Sequence, residues 1–574
     1  MKTTSNMKMD TVEEALFPPV DAELDLVKLE HEMLNFWSSQ NVFKKFLTQN
    51  QSYQKKFSFI DGPITANNPM GLHHTWGRSL KDIIQRYWAM KGYAQRFQNG
   101  FDCQGLWIEV EVEKALGLNS KRAIEEYGLE QFSEKCKTRI RKFSAIITED
   151  SKRLGQWMDW ENSYFTHTDT NISYIWYFLK KCQEKGWLIK GHYPMPWCPR
   201  CGTSLSQHEQ YDAYKQLTHT SVFVKFQLDQ TPTTEPEFLL VWTTTPWTLA
   251  ANTAVAVNPT NTYCKVKQGN ETFYLAKEAL HILKGNYQLL SKVQGEELLG
   301  KHYLTPFKAL PAQKKVQHVV VDWTDISAEE GTGFVHIAPG CGAEDYELGK
   351  RHNLEVLSPV DEFGVFFKEY GFLARLDTKA ASKRVIEELQ RRALLYKKEE
   401  YTHRYPTCWR CHEELIFRLV DEWFIDSTEI RPLLKKAIEK VEWVPNYYGK
   451  RMLDWLNNMG NWCISRKRYW GLPLPFFECP ECNTLAVVGS KEELLERAIA
   501  GTEKLEELHR PWIDNVVINC PKCNAQVPKV KEVGDCWLDA GIVPYSTLKY
   551  LTEPHYWKQW FPADAVCEMR EQIR

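Results

Sequence analysis

The sequence lacks a long uninterrupted run of apolar residues, a strong excess of charge of one sign, a long polar low-complexity tract and any internal repeat. A helix that crosses a membrane needs about 20 consecutive apolar residues, so we expect a protein without membrane spans. The net charge of −2 gives no general attraction for a polyanion, and any nucleic acid must be held by local patches of Lys and Arg. Residues 1–17 include acidic residues and no apolar core, unlike a secretion signal, so we expect a cytoplasmic protein.

What the sequence does contain is enough apolar material for several cores. With 574 residues, 43% of them hydrophobic, the chain exceeds the size at which a single core divides into domains. Trp, Tyr and Phe occur 22, 25 and 27 times, which is far too aromatic for a disordered chain. We therefore expect a folded protein of several domains.

Eight of the 16 cysteines form four Cys-x-x-Cys pairs, a pattern that in a reducing compartment favours zinc over disulfides. Two pairs lie in one short stretch and are flanked by turn-forming residues. The other two pairs lie far apart in the sequence, so an ion bound by both would hold together the two ends of the segment between them. We predict about two zinc ions, each in a closed thiolate site without a catalytic role; reduced thiols without metal are the alternative. The predicted ligands are Cys198, Cys201, Cys408 and Cys411 for one site, and Cys479, Cys482, Cys520 and Cys523 for the other.

Apolar periodicity predicts the order of the elements. The spacing of Leu26 to Trp37, followed by Phe43 and Phe46, predicts an amphipathic N-terminal helix. Residues 57–60 are predicted as a buried strand, 61–71 as a loop and 80–88 as a helix face. A second strand at 95–97, followed by a loop at 99–105, suggests the start of a parallel α/β sheet, with ligands at the strand ends.

From about Tyr211 short β-like segments predominate, and helical patterning with many Trp residues resumes after about Glu400, so we expect a β-rich insert within one parent domain. The predicted fold class is α/β. Its parts are a helical extension (1–55), the first half of a Rossmann-like parallel-sheet catalytic domain (56–200), a β-rich domain (201–400), a return to the catalytic domain with a zinc-ribbon-like element (401–534) and the start of the second half of the sheet (535–574).

A loop with Gly71 precedes a helix that begins with Leu72, His73 and His74. Free backbone N–H groups and the helix dipole can hold a phosphate at such a place. Two adjacent histidines before a helix are nevertheless more often structural or merely exposed, and local spacing alone does not decide between these readings.

The wider set of motifs resembles the class I aminoacyl-tRNA synthetases, and among them the isoleucine family, over nearly the whole chain. These motifs are Asp61-Gly-Pro-Ile-Thr-Ala-Asn, Gly71-Leu-His-His, Lys81-Asp, Gly100-Phe-Asp-Cys-Gln-Gly, Trp462-Cys-Ile-Ser-Arg-Lys-Arg-Tyr-Trp-Gly and Asp535-Cys-Trp-Leu-Asp-Ala-Gly. Valine or leucine as the amino acid is a lesser alternative.

The resemblance assigns residues to a synthetic site. His74 matches the second His of the family's His-Ile-Gly-His signature, whereas Gly71 stands where the first His is usual and His73 where the Gly is, so either His73 replaces the missing donor or phosphate contact is weaker. Asp102 matches the carboxylate that holds the substrate ammonium group, a charge-assisted contact. Gln104 and Trp107 replace the usual His and Pro. The pocket walls and the contacts with the adenylate would be Pro63, Trp537, Glu568 and Gln572.

The resemblance also assigns an editing site to the insert. Without it, the run Trp242 to Thr248 would be read as a β-branched strand and turn. By resemblance, Thr243, Thr244 and Thr245 would surround the carbonyl and ribose of a misacylated tRNA. Asp345 would hold the ammonium group and His336 would close the side-chain pocket, with water as the attacking group.

The implied activity is ligation of isoleucine to tRNA(Ile) with ATP and Mg²⁺, together with hydrolysis of Val-tRNA(Ile), by a protein expected to be a monomer. The family's Lys-Met-Ser-Lys-Ser segment is absent from these 574 residues. We therefore expect a fragment of a longer protein or a truncated paralogue, and we expect this polypeptide to clear Val-tRNA but to form little adenylate. The alternative function is editing deacylation or tRNA binding alone.

Overall fold

The computed structural model of the chain describes residues 23–205, 209, 213–229 and 235–568. The predictions for residues 1–17, for the boundary at Tyr211 and for Gln572 lie outside this described part. Among the described helices, none is both long enough and apolar enough to span a membrane.

The first part of the chain contains the predicted parallel α/β unit. Strands β2, β4 and β5 form a parallel sheet in that order, and β1 pairs with β3, also in parallel. Parallel neighbours need crossover connections, which the intervening helices supply. The elements are α1 (Leu26–Ser39), α2 (Val42–Gln51), β1 (Lys55–Lys56), β2 (Ile64–Thr65), α3 (Leu72–Met90), β3 (Tyr93–Ala94), β4 (Gln98–Asp102), α4 (Leu106–Leu116), α5 (Lys121–Tyr127), α6 (Leu129–Arg153), β5 (Asp159–Phe165), α7 (Asp169–Glu184), β6 (Leu188–Cys198) and β7 (Thr203–Ser204).

Three local predictions need correction in this part. The N-terminal helix is two helices, because Asn41 adopts a left-handed φ of 49° and ends the first. The strand predicted at residues 95–97 lies at 98–102 instead, because Phe97 has a φ of 49°, which no extended strand allows. Residues 57–60 are buried as expected but form an isolated bridge instead of a strand: Phe59 pairs in parallel with Ala565, and the backbone N–H of Phe57 donates to the carbonyl of Ala94.

The middle of the chain is the β-rich insert, built on a ten-stranded mixed sheet around the largest apolar core. Its long strands β8 and β17 pair antiparallel from Tyr214 with Pro406 to Val224 with Leu395, so the chain enters and leaves the insert side by side. The elements are β8 (Tyr214–Leu228), β9 (Glu237–Thr243), β10 (Ala254–Val257), β11 (Thr262–Gln268), β12 (Glu271–Ala276), β13 (Gln288–Gln294), β14 (Tyr303–Leu304), β15 (Val319–Asp322), β16 (Val335–Ile337), α8 (Ala343–His352), α9 (Thr378–Arg391) and β17 (Leu395–Pro406).

Helices were expected to begin again after about Glu400, but they begin about thirty residues later. Strand β17 continues to Pro406 with alternating exposure, and a further strand, β18 (Ile416–Ile425), pairs antiparallel with β6 along its whole length. The exposed positions of β17 alternate with half-buried ones, which is the period of a strand, and they are Lys398, Glu400, Thr402 and Arg404. The next helix begins only at Ile430.

The last part of the described chain combines short strands and helices. Their bounds are α10 (Ile430–Ile438), α11 (Tyr447–Asn458), β19 (Trp462–Cys463), β20 (Ser465–Arg466), β21 (Phe476–Glu478), β22 (Leu485–Val487), α12 (Lys491–Arg497), β23 (Ala498–Ala500), β24 (Val517–Asn519), β25 (Gln526–Pro528), β26 (Val533–Gly534), α13 (Trp537–Gly541), α14 (Val543–Ser546) and α15 (Pro554–Trp560). An apolar core joins this part to α7, so the segments before and after the insert pack as one body.

Candidate functional site

The N-terminus of α3 presents the two adjacent histidines. Gly71 is the N-cap, and its backbone N–H donates to Nδ1 of His74 at 3.0 Å. Because Nδ1 accepts, the neutral ring of His74 carries its proton on Nε2, where it can donate to a ligand. Burial, followed by the charges of His73 and Arg78, lowers the pKa of His74 to about 4. His73 is exposed, and its ring centre lies 3.8 Å from that of His74.

Asp102 ends β4, opposite Thr65 of β2 in the parallel register. The hydroxyls of Thr65 and Thr166 donate to its two carboxylate oxygens, each at 3.3 Å. Burial raises the pKa of Asp102 to about 6, against the opposing effect of these hydrogen bonds. The carboxylate therefore lies at the carboxyl end of parallel strands, where ligands of α/β sheets bind, and is prepared to receive a positive charge.

Glu568 returns to the same end of the sheet. Its Oε1 accepts the backbone N–H of Gly62 at 3.1 Å and lies 3.5 Å from Nζ of Lys81, a residue of α3. The Lys81 Nζ also contacts Asp61 at 2.7 Å. A Cβ at position 62 would collide with the Glu568 carboxylate, so another residue there would displace this side chain. Of this charged group, the family resemblance assigned Glu568 to the contacts with the adenylate, whereas Lys81 and Asp61 were not chosen as site residues from the sequence.

Trp537 and Pro63 are both half-buried near these strand ends. Gly105, just after β4, has a φ of 101°, and a Cβ there would lie 2.8 Å from Cβ of Cys536. This close approach brings the turn after Asp102 against the start of α13, where Trp537 lies. Trp107, in contrast, stacks on Trp409 at 5.3 Å beside the first cysteine cluster.

A separate cavity of about 440 Å³ opens in the insert and collects all five residues assigned to the editing site. Thr243 ends β9, and its Oγ1 accepts the backbone N–H of Thr245 at 3.1 Å. The hydroxyls of Thr245 and Thr248 lie 3.3 Å apart, and Thr248 Oγ1 lies 2.9 Å from Nε2 of His336. Thr248 was not chosen as a site residue from the sequence, although it belongs to the same threonine run.

Among the titratable groups that line this cavity, His336 and Asp345 are both shifted towards neutrality. Burial lowers the pKa of His336 to about 4, and its Nδ1 has no hydrogen-bond partner among the described residues. Burial also raises the pKa of Asp345 to about 7, although its Oδ2 accepts the backbone N–H of Ala338 at 2.8 Å. The pocket therefore contains a neutral imidazole and a carboxyl group with a pKa near 7. These groups suit a pocket that admits an ammonium group and a water molecule.

The eight paired cysteines lie in two four-sulfur clusters, within each of which the Sγ atoms are at most 4.8 Å apart. The separations between Cys198 and Cys411 and between Cys479 and Cys523 are 3.5 and 3.4 Å. A Zn–S bond of about 2.3 Å gives a tetrahedron edge of about 3.8 Å, so small adjustments would admit the ion.

Each Cys-x-x-Cys pair closes in the same way. The residue after the second cysteine adopts a left-handed φ and donates its backbone N–H to the carbonyl of the first cysteine, at 2.7 to 3.0 Å. Such a turn folds the chain tightly enough to aim both thiols at one point. The four closing residues and their φ values are Gly202 at 60°, His412 at 64°, Asn483 at 53° and Asn524 at 63°.

Comparison with known proteins identifies the family of the chain. The sequence model of the family "tRNA synthetases class I (I, L, M and V)" matches residues 32–574. Isoleucine–tRNA ligases from Clostridium acetobutylicum and Sulfolobus acidocaldarius are 40% and 37% identical, over 97% and 96% of this chain and 54% and 53% of their own. That of Methanothermobacter thermautotrophicus is 36% identical, over 95% of this chain and 52% of its own.

A solved LeuRS–tRNA–LeuAMS complex from Agrobacterium radiobacter covers 94% of this chain and 62% of its own at 16% identity, with a TM-score of 0.38, too low to carry an argument. The chain spans about half the length of the curated relatives it matches. Because the family model covers nearly all of the sequence, as the motifs from Asp61 to Asp535 led us to expect, the chain belongs to the class I tRNA synthetases of the isoleucine, leucine, methionine and valine group.

Proposed function

We propose that the chain carries the amino-acid-binding and editing parts of an isoleucine–tRNA ligase, which joins isoleucine to tRNA(Ile) with ATP and Mg²⁺. The observation that carries this proposal is the presence of two separate sites that each contain a half-buried carboxyl group with a raised pKa, Asp102 at the sheet end and Asp345 in the insert. Each is suited to the ammonium group of an amino acid. The isoleucine-specific relatives at up to 40% identity support the choice of amino acid.

In the proposed synthetic site, Asp102 binds the substrate ammonium group while Pro63 and Trp537 line the side-chain pocket. The isoleucine carboxylate attacks the α-phosphate of ATP, an aminoacyl-phosphate bond forms, and pyrophosphate leaves. His74 donates from Nε2 to the phosphates at the N-terminus of α3, where backbone N–H groups also point outwards. His73, one residue earlier and exposed, supplies the second imidazole, and Gly71 fixes the ring of His74.

On the other side of the site, Glu568 faces Gly62 and Lys81, a position that suits contact with the adenylate. The corresponding role of Gln572 rests on the family resemblance alone. Together these groups would surround the nucleotide from α3 and from the segment that follows α15.

In the proposed editing site, Asp345 binds the ammonium group of valine esterified to tRNA(Ile), and Thr243, Thr244 and Thr245 contact the carbonyl and the terminal ribose. Water adds to the ester carbonyl, and the ribose oxygen leaves with a proton. The pocket of His336 excludes the larger side chain. A second site is needed because one methylene gives only about 1 to 3 kcal/mol of discrimination, for which isoleucine synthetases are the standard example.

Zinc would be structural in both cysteine clusters. Four thiolates close the coordination sphere and leave no position for a substrate. The cluster formed by Cys198, Cys201, Cys408 and Cys411 holds together the chain on either side of the insert, and the other cluster, with Cys479, Cys482, Cys520 and Cys523, stabilises the short strands of the last part.

Titration with isoleucine tests the synthetic site. We expect saturable binding, followed through tryptophan fluorescence, and a loss of about 10- to 100-fold in Asp102→Asn, because a charged hydrogen bond contributes about 1.5 to 3 kcal/mol. Asp150→Asn, an exposed carboxylate on α6, is the matched control and should bind normally. Equal affinity in Asp102→Asn would refute the proposed anchor. Deacylation of Val-tRNA without any isoleucine binding would instead favour a stand-alone hydrolase.

A further inference from the structure

A second carboxyl group lies behind the proposed ammonium anchor. Asp539, in α13, is completely buried, and its Oδ1 accepts a hydrogen bond from Nε2 of Gln104 at 3.0 Å. Its Oδ2 is also buried and has no hydrogen-bond partner within the part of the chain that the structure describes. A carboxylate anion with one buried oxygen unsatisfied is costly, whereas a carboxylic acid in the same place loses much less.

Gln104 connects Asp539 to the anchor. Its Nε2 also donates to the backbone carbonyl of Thr166 at 3.2 Å, and the hydroxyl of Thr166 donates to Oδ1 of Asp102 at 3.3 Å. On its other side, Oε1 of Gln104 lies 3.0 Å from Nε2 of His509. An N–H of His509 donating to Oε1 fixes the amide orientation, so that Gln104 offers its NH₂ group to Asp539 and Thr166.

The surrounding charges oppose ionisation of Asp539. Burial, followed by the negative charges of Asp102 and Asp535, raises the pKa of Asp539 well above its usual range. Asp535 is itself paired with Arg466 at 2.9 Å, so that guanidinium is already engaged. The other titratable groups nearby are His509, across Gln104, and His167, whose ring lies 6.3 Å from that of His509. The thiols of Cys103 and Cys536 are also close enough for the charge of Asp539 to raise their pKa values, and burial keeps both thiols neutral.

We propose that Asp539 is a neutral carboxylic acid that, through Gln104 and Thr166, positions Asp102 for the ammonium group of the amino acid. This role rests on the proposed synthetic site. Its consequence is that the pocket carries one negative charge instead of two, which matches one ammonium group and does not favour a divalent cation. Asp539 and Gln104 are positioning residues, since neither needs to touch the substrate.

Isoleucine binding by the full 574-residue chain tests this role. We expect Asp539→Ala and Gln104→Ala each to weaken binding about tenfold, and the double variant to lose no more than either, because both break one connection. Asp539→Asn keeps the shape and the acceptor of a neutral acid and should restore affinity to within about threefold of the unsubstituted chain. Asp150→Asn serves again as the matched control.

Infrared spectroscopy gives a readout that does not depend on ligand. A protonated-carboxyl C=O band should persist at pH 9, where Asp345 is ionised, and Asp539→Asn should remove it. Asp539→Asn binding as weakly as Asp539→Ala, or an infrared spectrum without this band, would overturn the role of Asp539 while leaving the amino-acid site intact. Absence of isoleucine binding by the unsubstituted chain would overturn the proposed site and the role together.

Discussion

The pH dependence of ester hydrolysis should report the ionisation of Asp345. Burial raises the pKa of this carboxyl from 3.8 to about 7, which corresponds to about 4 kcal/mol of unfavourable ionisation in the empty pocket. The pKa of Asp345 is higher in the folded protein than in the unfolded chain. Asp345 therefore does not lower the free energy of unfolding below about pH 4, and it lowers this free energy increasingly as the pH rises towards 7. An ammonium group bound beside the carboxylate offsets the penalty.

Hydrolysis of Val-tRNA requires the ionised form in this account. With a pKa of about 7, only about one tenth of Asp345 is ionised at pH 6 and about nine tenths at pH 8. The enzymatic rate should therefore rise about tenfold from pH 6 and level off above pH 7. Uncatalysed hydrolysis by hydroxide, measured in parallel and subtracted, has no such plateau.

Asp345→Asn should lose most of the activity and the plateau, whereas Glu347→Gln, at an exposed carboxylate of the same helix, should keep both. A rate that follows hydroxide concentration without levelling off, or an Asp345→Asn variant with the same pH profile, would refute the reasoning.

Three further predictions concern the metal sites and the editing pocket. Elemental analysis should find about two zinc ions per chain, and about one in Cys479→Ser, whereas Cys264→Ser should keep the zinc content of the unsubstituted chain. Protein without zinc would contradict this prediction. His412→Gly should raise the free energy of unfolding by about 1 kcal/mol, because His412 has a φ of 64°. Asn483→Gly should raise it less, since Asn tolerates this conformation better than His does. Thermal melting measures both variants, and equal stabilities of the two would contradict this prediction. Thr248→Val removes the hydroxyl that contacts Nε2 of His336 at 2.9 Å and donates to the carbonyl of Thr245 at 2.8 Å, so it should lower the free energy of unfolding by about 1 to 3 kcal/mol, whereas Thr248→Ser should not. Chemical denaturation measures this difference, and equal stability would show that the hydroxyl contributes little.

The cysteine sites were the part of the structure most accessible from the sequence. Each Cys-x-x-Cys pair is a local structure, because the two cysteines and the residue that closes their turn lie within five positions. Cys479 and Cys523 lie close together because their two pairs belong to one stretch of sequence. The parallel opening of the sheet was also predictable from the alternation of apolar strand, loop and helix. These features depend on near neighbours in the chain.

The contacts inside the two proposed active sites were not predictable from spacing. His336 meets Thr248 across 88 positions and Asp539 meets Gln104 across 435, and only the folded sheets bring these partners together. The assignment of Asp345 and His336 came from family resemblance, since either alone reads as an ordinary surface or core residue. The strand at 98–102 was misplaced because nothing in the sequence marks Phe97 as left-handed.

The most direct test of the central claim compares hydrolysis of Val-tRNA(Ile) and Ile-tRNA(Ile) by the 574-residue chain under identical conditions. We expect the valine ester to be cleaved at least about tenfold faster, since the insert pocket must accept valine and exclude isoleucine, and we expect Asp345→Ala to lose most of the hydrolysis of the valine ester. Equal rates for the two esters, or hydrolysis of the valine ester at an unchanged rate in Asp345→Ala, would contradict this.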